Sequence, residues 1–482
     1  MNPAIGRLRN ANVLLITSDE QRFDAVGCNG NGHVLTPHLD QLAARGVRFT
    51  DHTTSCPLCT PARASILTGQ YPRTHGAWSV GVKLDEQARG LSHWLAEEGY
   101  RTGFFGKAHF EGELTEYMLR PDRSKPYYGF QDFHITEDHN IGEYMDWIRR
   151  EHPQHVQAAR YNTHDDPEVR DAPLPPAKDG GLSSCFLSTL PENLHQTAWI
   201  ADRTIDFMNK PESARPFFAW CSFVDPHHPF NPPEEFARLY DPATLPPPLG
   251  GIEEHAVRTN DYCCPEGISP QGYQQMKASY YYAMVTHIDA HVGRITQALE
   301  RAGQLDNTII LYTSDHGDYL GDHGLVRKGP YLYESTLRVP LIVHLPGGLG
   351  AGRCCSNMTQ HEDLAPTILE LLGLAKPPSV QGQSFAGAMW GQPDAPARHW
   401  AYHTLPWAPG EGCVAVRNAT HKLVHHPGAW GWRLFDLEND PQERGLSLDD
   451  PMAASIAAPL KERLLQWFLD TPPYRSPQIT RW

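Results

Sequence analysis

The chain has 482 residues, 40% of them hydrophobic and 20% charged, which is enough for more than one domain around a large buried core. Lys and Arg number 41 against 56 Asp and Glu, and the formal net charge of −15 argues against a general nucleic-acid-binding face while leaving room for a local basic pocket. The N-terminal stretch MNPAIGRLRNANVLLITSDE has no long apolar core and no small-residue cleavage site, and no segment reaches the apolar length of a membrane span. A cytoplasmic protein with no membrane or nucleic-acid partner is expected, and ten cysteines in this length make no disulfide framework.

In chain order, Asn12–Ser18 reads as a buried strand, 38–45 and 90–98 as helices, and the RTGFFG run at 101–106 as a second strand. Residues 152–194, rich in His, Asp, Pro and Gly, read as a long loop. A helix at 195–209 and a strand at 217–224 follow. Residues 225–272 form a second long, proline-rich loop, suited to a lid or a substrate wall. A long helix at 276–302, strands at 308–313 and 339–344, and a helix at 364–372 complete the alternation. Strands alternating with helices predict an α/β protein with a large, mostly parallel sheet flanked by helices. The segment AKPPSVQGQS reads as a linker, dividing residues 1–378, a catalytic α/β domain, from 379–482, a smaller C-terminal α+β domain with a helix at 454–468. The tail TPPYRSP, from Thr471, suits either wrapping a neighbouring copy in a homo-oligomer or fraying.

In such sheets ligands bind outside the carboxyl ends of the strands. There the sequence turns abruptly polar. NVLLITS ends in Asp19-Glu20, RTGFFG in Lys107-Ala-His109, FFAWCSFV in Asp225-Pro-His227-His228, and IILYTS in Asp315-His316-Gly317. Burying that many charges at one sheet edge costs free energy unless they pair or bind something. Asp19, Glu20, Asp315 and His316 supply oxygen and nitrogen ligands for a divalent cation, Ca²⁺ first and Mn²⁺ or Mg²⁺ as alternatives. Lys107, His109, His227 and Lys328 would face it as a basic wall fit for a tetrahedral oxyanion.

The stretch CPLCTPARASILTG, Cys56 to Gly69, admits two readings. Cys56 and Cys59 make a C-x-x-C pair, as in a redox dithiol or half a zinc site. Cys59, Pro61 and Arg63 make C-x-P-x-R at the start of a helix over 61–68, with Thr60 as its cap. No second Cys or His pair at zinc spacing accompanies the first reading. Cys59-Thr-Pro-Ala-Arg63 followed by Leu67-Thr68-Gly69 resembles the signature of the formylglycine-dependent sulfatases, and so, in order, do Asp19-Glu20, Gly106-Lys107-Ala-His109, Asp225-Pro-His227, Asp315-His316-Gly317, Gly321-Asp-His323-Gly324, Lys328 and the closing LFDLENDP.

The resemblance implies an alkaline-phosphatase-like fold and hydrolysis of sulfate esters. It implies that Cys59 is oxidised to formylglycine by a formylglycine-generating enzyme, and that residue 59 also ligates the metal. Arg63 would stabilise the formylglycine hydrate, and Lys107 would hold that hydrate and a sulfate oxygen. His227, assisted by Lys328, would protonate the leaving oxygen; His109 would release sulfate by deprotonating the remaining hydroxyl. Many relatives carry Asp-Asp where this chain has Asp19-Glu20. Phosphonate monoester and phosphodiester hydrolases share the cysteine signature, and hydrolysis of those esters is the alternative activity. Keeping Gly-Lys-x-His favours sulfate.

Overall fold

The computed structural model describes residues 8–111, 122–160, 185–210, 215–249, 280–392, 397–408, 411–427 and 431–474. Its centre is an eight-stranded sheet. The strands are β1 (Asn12–Ser18), β2 (Val47–Phe49), β4 (Arg101–Gly106), β5 (Asp132–Ile135), β6 (Phe217–Ser222), β7 (Thr308–Ser314), β8 (Leu341–His344) and β9 (Arg353–Cys355), in the order β5-β4-β6-β1-β7-β8-β2-β9. Two-residue strands β3 (His52–Thr53) and β10 (Thr359–Gln360) pair beside it. The four strands β4, β6, β1 and β7 lie side by side and parallel, so their carboxyl ends share one edge. Only β8 runs against its neighbours in this sheet, β7 and β2.

Both faces of the central strands are buried, which is why their sequences are unbroken apolar runs rather than alternations. Along β1, Val13 and Leu15 point into a core shared with Phe104, Trp220 and Leu311 and with the helices Cys59–Thr68, Leu91–Glu97 and Leu364–Leu371. Leu14 and Ile16 point the other way, into a core shared with Phe105, Tyr312 and the helices Pro37–Ala44, Glu143–Glu151, Gln196–Met208 and Tyr282–Arg301. The expected elements are present within a few residues of their expected ends. The helix Glu143–Glu151 and the short strands β2, β5 and β9 are additional. Of the two expected loops, 161–184 and 250–272 lie outside the described residues, as do residues 276–279 of the expected long helix. The described parts carry single helical turns at Val156–Ala159 and Glu234–Ala237.

A second, antiparallel sheet holds β11 (Ala401–Ala408), β12 (Glu411–Arg417), β13 (His421–His426) and β14 (Gly431–Asp436). One of its faces takes the helix Pro451–Asp470, through Val416, Leu423 and Leu434 against Ala457, Leu460, Leu464 and Trp467. Asp450 caps that helix on the Met452 N–H, with Pro451 in the first turn. The other face packs on the large unit, where Leu405, Cys413, Ala415 and Phe435 meet Cys56, Leu58, Tyr319 and Leu337. Arg417 reaches across to Asp51 at 2.9 Å and Glu334 at 2.7 Å, and Lys422 to Glu334 at 3.0 Å. Val380, Phe385, Ala386 and Met389 still pack in the core of the large unit, and the small sheet begins at Ala401. Through Tyr474 the tail lies on its own chain, with its hydroxyl on Asp85 at 2.9 Å and its N–H on the Arg73 carbonyl. No described helix is long and apolar enough to cross a membrane.

Trp220 is the largest fully buried side chain among the described residues, wedged among Phe104, Phe110 and Phe130, with its indole N–H on Thr17 at 2.9 Å. Trp220→Ala removes that volume and the hydrogen bond, so it should cost about 3–5 kcal/mol, read as a lowered urea midpoint of the large unit.

Candidate active site

The active-site helix begins two residues earlier than its sequence suggests. Ala62 N–H already bonds to the Leu58 carbonyl, so Leu58 is the N-cap, Thr60 and Pro61 lie inside the first turn, and Cys59 is the first helical residue. No side chain caps this end. Cys59 therefore sits where unpaired backbone N–H groups and the helix dipole favour negative charge. Gly69, at φ 66°, ends the helix with its N–H on the Ser65 carbonyl.

Arg63, one turn on, is fully buried and binds the ends of all four central strands. Its Nη2 meets Asp19 Oδ2 after β1 at 2.9 Å, and its Nε meets Asp315 Oδ2 after β7 at 2.9 Å. Its Nη1 donates to the Lys107 carbonyl after β4 at 2.7 Å and to Ser222 Oγ at the end of β6 at 2.6 Å. Burial pushes the Asp19 carboxyl up, but Lys107, His227, Arg63 and Lys328 outweigh it and hold the group well below the usual carboxylate range. Asp315 is pushed above that range by burial and by the charge of Asp19.

Cys59 Sγ lies 3.1 Å from Lys328 Nζ, 3.3 Å from His316 Nε2, 3.7 Å from Asp19 Oδ1 and 3.8 Å from Lys107 Nζ. Burial and Asp19 raise its thiol pKa, while Lys107, Lys328 and His316 outweigh them and pull it down to about 6. Cys56 has the opposite environment. It is a core side chain between the two units, and burial pushes its thiol far up. The two cysteines do not form a disulfide.

Asp19, Cys59, Asp315 and His316 each bring a ligand atom within 4.8 Å of the others. His316 Nδ1 lies 2.9 Å from the Gly317 carbonyl, a contact that keeps a proton on Nδ1 and turns Nε2 toward the cluster. Buried carboxylate oxygens, an imidazole Nε2 and a position for an oxygen of residue 59 fit a divalent cation. Glu20, expected in this set, is not among these four and groups with His227 and His228. Its backbone is left-handed at φ 65°, held by Tyr281 Oη on its carbonyl and by Asp315 Oδ1 on its N–H. Its carboxylate meets Lys328 at 2.6 Å and His228 Nδ1 at 3.3 Å, with His227 Nε2 at 3.8 Å.

The basic groups assemble around the thiol. Lys107 Nζ bridges Asp19 at 2.9 Å and Asp138 at 2.5 Å. Its position depends on Gly106, at φ 111°, where a Cβ would fall 1.8 Å from the Ser222 carbonyl. His109 is buried at φ 51°, and its N–H and that of Ala108 donate to one oxygen of Glu137. His227 Nε2 is 3.2 Å from Lys328 and its Nδ1 is 2.6 Å from the His228 carbonyl. Its ring stacks on that of His228 at 4.1 Å. His323 stacks on Tyr333 at 3.8 Å, and its neighbour Asp322 pairs with Arg22. Sequence reasoning missed Glu137 and Asp138, which follow the short strand β5, and Ser222, hidden inside an apolar strand. The only signal for the first two was an acidic pair, Glu137-Asp138, just beyond a weak strand.

A family model for sulfatases matches residues 11–374, and a second, for the C-terminal region of N-sulphoglucosamine sulphohydrolase, matches residues 321–469. The chain is 31% identical over 462 residues to an arylsulfatase of Clostridium perfringens, with 90% of this chain and 89% of that protein covered. It is 28% identical over 493 residues to a choline-sulfatase of Rhizobium meliloti, with 98% and 90% covered. In three dimensions it is similar to a phosphonate monoester hydrolase of Agrobacterium radiobacter, with a TM-score of 0.79, 25% identity and 96% of each chain covered. The sulfatase model runs from β1 through the helix Leu364–Leu371 and takes in every strand end described above; this chain belongs to the sulfatase family.

Proposed function

We propose that the protein hydrolyses organic sulfate esters to an alcohol or phenol and sulfate, with residue 59, matured to formylglycine, as its nucleophile. The observation that carries this reading is the setting of Cys59: buried at a helix N-terminus, with Lys328, His316, Asp19 and Lys107 all within 3.8 Å. Here residue 59 is cysteine, and Sγ stands in for an oxygen of the formylglycine hydrate. A divalent cation held by Asp19, Asp315, His316 and residue 59 would supply Lewis acidity and neutralise charge on the sulfuryl oxygens.

The chain's own groups divide the remaining work. Arg63 fixes Asp19 and Asp315 so that neither carboxylate turns toward the nucleophile's path. Lys107 and Lys328 attract the sulfate oxygens. Attack on sulfur breaks the ester S–O bond, and the leaving oxygen needs a proton. Burial holds the His227 imidazole well below its ordinary pKa, and its Nδ1 proton is committed to the His228 carbonyl. Lys328, hydrogen-bonded to His227 Nε2, is held well above the usual lysine range: burial lowers it, but Cys59, Glu20 and Asp19 outweigh that. The ammonium stays charged beside His227, and the pair supplies the proton that the leaving oxygen needs. We assign His109, between Lys107 and the Glu137-Asp138 turn, to take the proton whose loss releases sulfate.

Four outcomes test this reading. Comparing kcat/KM on an aryl sulfate, an aryl phosphonate monoester and an aryl phosphodiester, after co-expression with a formylglycine-generating enzyme, should favour the sulfate; a preference for either phosphorus ester overturns the substrate class. Cys59→Ala should abolish turnover, while Cys56→Ala should lower the melting temperature and keep most of the turnover. Lys328→Met should cost alkyl sulfates about 10²–10⁴-fold in kcat and 4-nitrophenyl sulfate far less, because a good leaving group needs no proton. Finally, dialysis against a chelator should lower both activity and melting temperature, and a divalent cation should restore both.

A further inference from the structure

Away from Cys59, on the face of the sheet covered by the helices Gln196–Met208 and Tyr282–Arg301, a second group of ligand-type side chains converges. His287 and His291 stand one turn apart on the longer helix and therefore share a face. Glu192 approaches them from the turn Glu192–Leu194. Glu192 Oε1 lies 2.8 Å from His291 Nε2 and 3.2 Å from His287 Nε2, and the two nitrogens are 3.1 Å apart. Three ligand atoms thus form a nearly equilateral triangle. Around a tetrahedral cation with bonds of about 2.0–2.1 Å, ligand atoms stand roughly 3.3 Å apart, so a few tenths of an ångström of expansion would accommodate an ion.

The surroundings fit the same purpose. Both imidazoles are buried, while the Glu192 side chain is 31% exposed, which leaves an open side for a water ligand. Behind His287, Asp225 Oδ2 lies 3.7 Å from Nδ1. That is the carboxylate–histidine arrangement that orients a metal-binding ring. Thr197 Oγ1 holds the same Asp225 oxygen at 2.5 Å. His195 stands 4.0 Å from that oxygen, and its ring is 4.9 Å from that of His287. The outer nitrogen of His291 accepts from Arg294 at 3.0 Å, which puts the ring proton on Nε2 when no ion is bound. Arg294 is half exposed and already pairs with Asp202 at 2.7 Å, so it can release His291 and let the proton move to Nδ1.

The geometry points to a second divalent-cation site, formed by Glu192, His287 and His291 with Asp225 behind it, that takes a borderline transition metal such as Zn²⁺. Two nitrogens and one oxygen suit Zn²⁺ or Co²⁺ and not Ca²⁺. The site is structural in kind: it pins the start of one helix to the middle of another. It also braces the loop that carries His227, because Asp225 lies two residues before that side chain and its carbonyl accepts the Asp19 N–H at 3.2 Å.

The test uses the full chain, loaded with Zn²⁺ and desalted. The unsubstituted protein should retain one more equivalent of zinc than Glu192→Gln or His291→Gln. Its melting temperature should rise with Zn²⁺ where theirs does not, and substituting Co²⁺ should give it a visible d–d band of a nitrogen–oxygen site that the variants lack. Zinc affinity should weaken about 100-fold or more in Glu192→Gln, whose partly exposed side chain makes it the variant that decides if His291→Gln fails to fold. Equal zinc content in all three, with melting temperatures indifferent to Zn²⁺, overturns the proposal and leaves the cluster a hydrogen-bond network.

Discussion

The structure turns on Arg63. Two like-charged carboxylates, Asp19 and Asp315, end neighbouring parallel strands in a site closed to water, and without a cation between them neither strand end could lie where it does. One guanidinium meets both and also meets the ends of β4 and β6 through the Lys107 carbonyl and Ser222. Lysine could not do this, because a single ammonium lacks the planar fork that reaches four directions at fixed angles. Breaking such a pair from one side typically costs 3–5 kcal/mol, since a bare buried charge remains. The two carboxylates thus lie fixed beside residue 59 before any ligand arrives.

Around Cys59 the same logic repeats at a finer scale. Asp19, Glu20, Asp138 and Asp315 stand against Arg63, Lys107 and Lys328, so the pocket as drawn carries slightly more negative than positive charge. A dication would invert that balance and leave the site receptive to a monoanionic sulfate ester. Glu20 has a part in this. With its left-handed backbone it meets Lys328 and the two histidines and steadies the ammonium.

Much of this was legible in the chain. Strands buried on both faces must be apolar throughout, so a sudden Asp, Lys or His marks where each one surfaces at the site. What stayed hidden depends on features that a linear pattern does not carry. The direction of the Glu20 side chain is set by one backbone angle, and Asp138 joins Lys107 only because β5 pairs with β4. The helix start at Cys59 rather than after Thr60 rests on a backbone bond to Leu58, since no side chain caps that end. His287 and His291 were masked by the apolar periodicity of their helix, and their partner Glu192 lies almost a hundred residues away.

The order in which these pieces leave the ribosome has its own consequence. Cys59 and Arg63 emerge early. Asp315, His316 and Lys328 come more than 250 residues later, and the small sheet that packs on Cys56 and Leu58 later still. At about 5–20 residues per second, that separation is on the order of tens of seconds. Throughout it, β1 lacks its partner β7, Arg63 lacks one of its two carboxylates, and the segment around Cys59 stays an open stretch of nascent chain. In the finished fold the same thiol is buried among the strand ends. Synthesis itself therefore sets a window for any chemistry done to that side chain by another protein, and the burial of Cys59 among the strand ends narrows it.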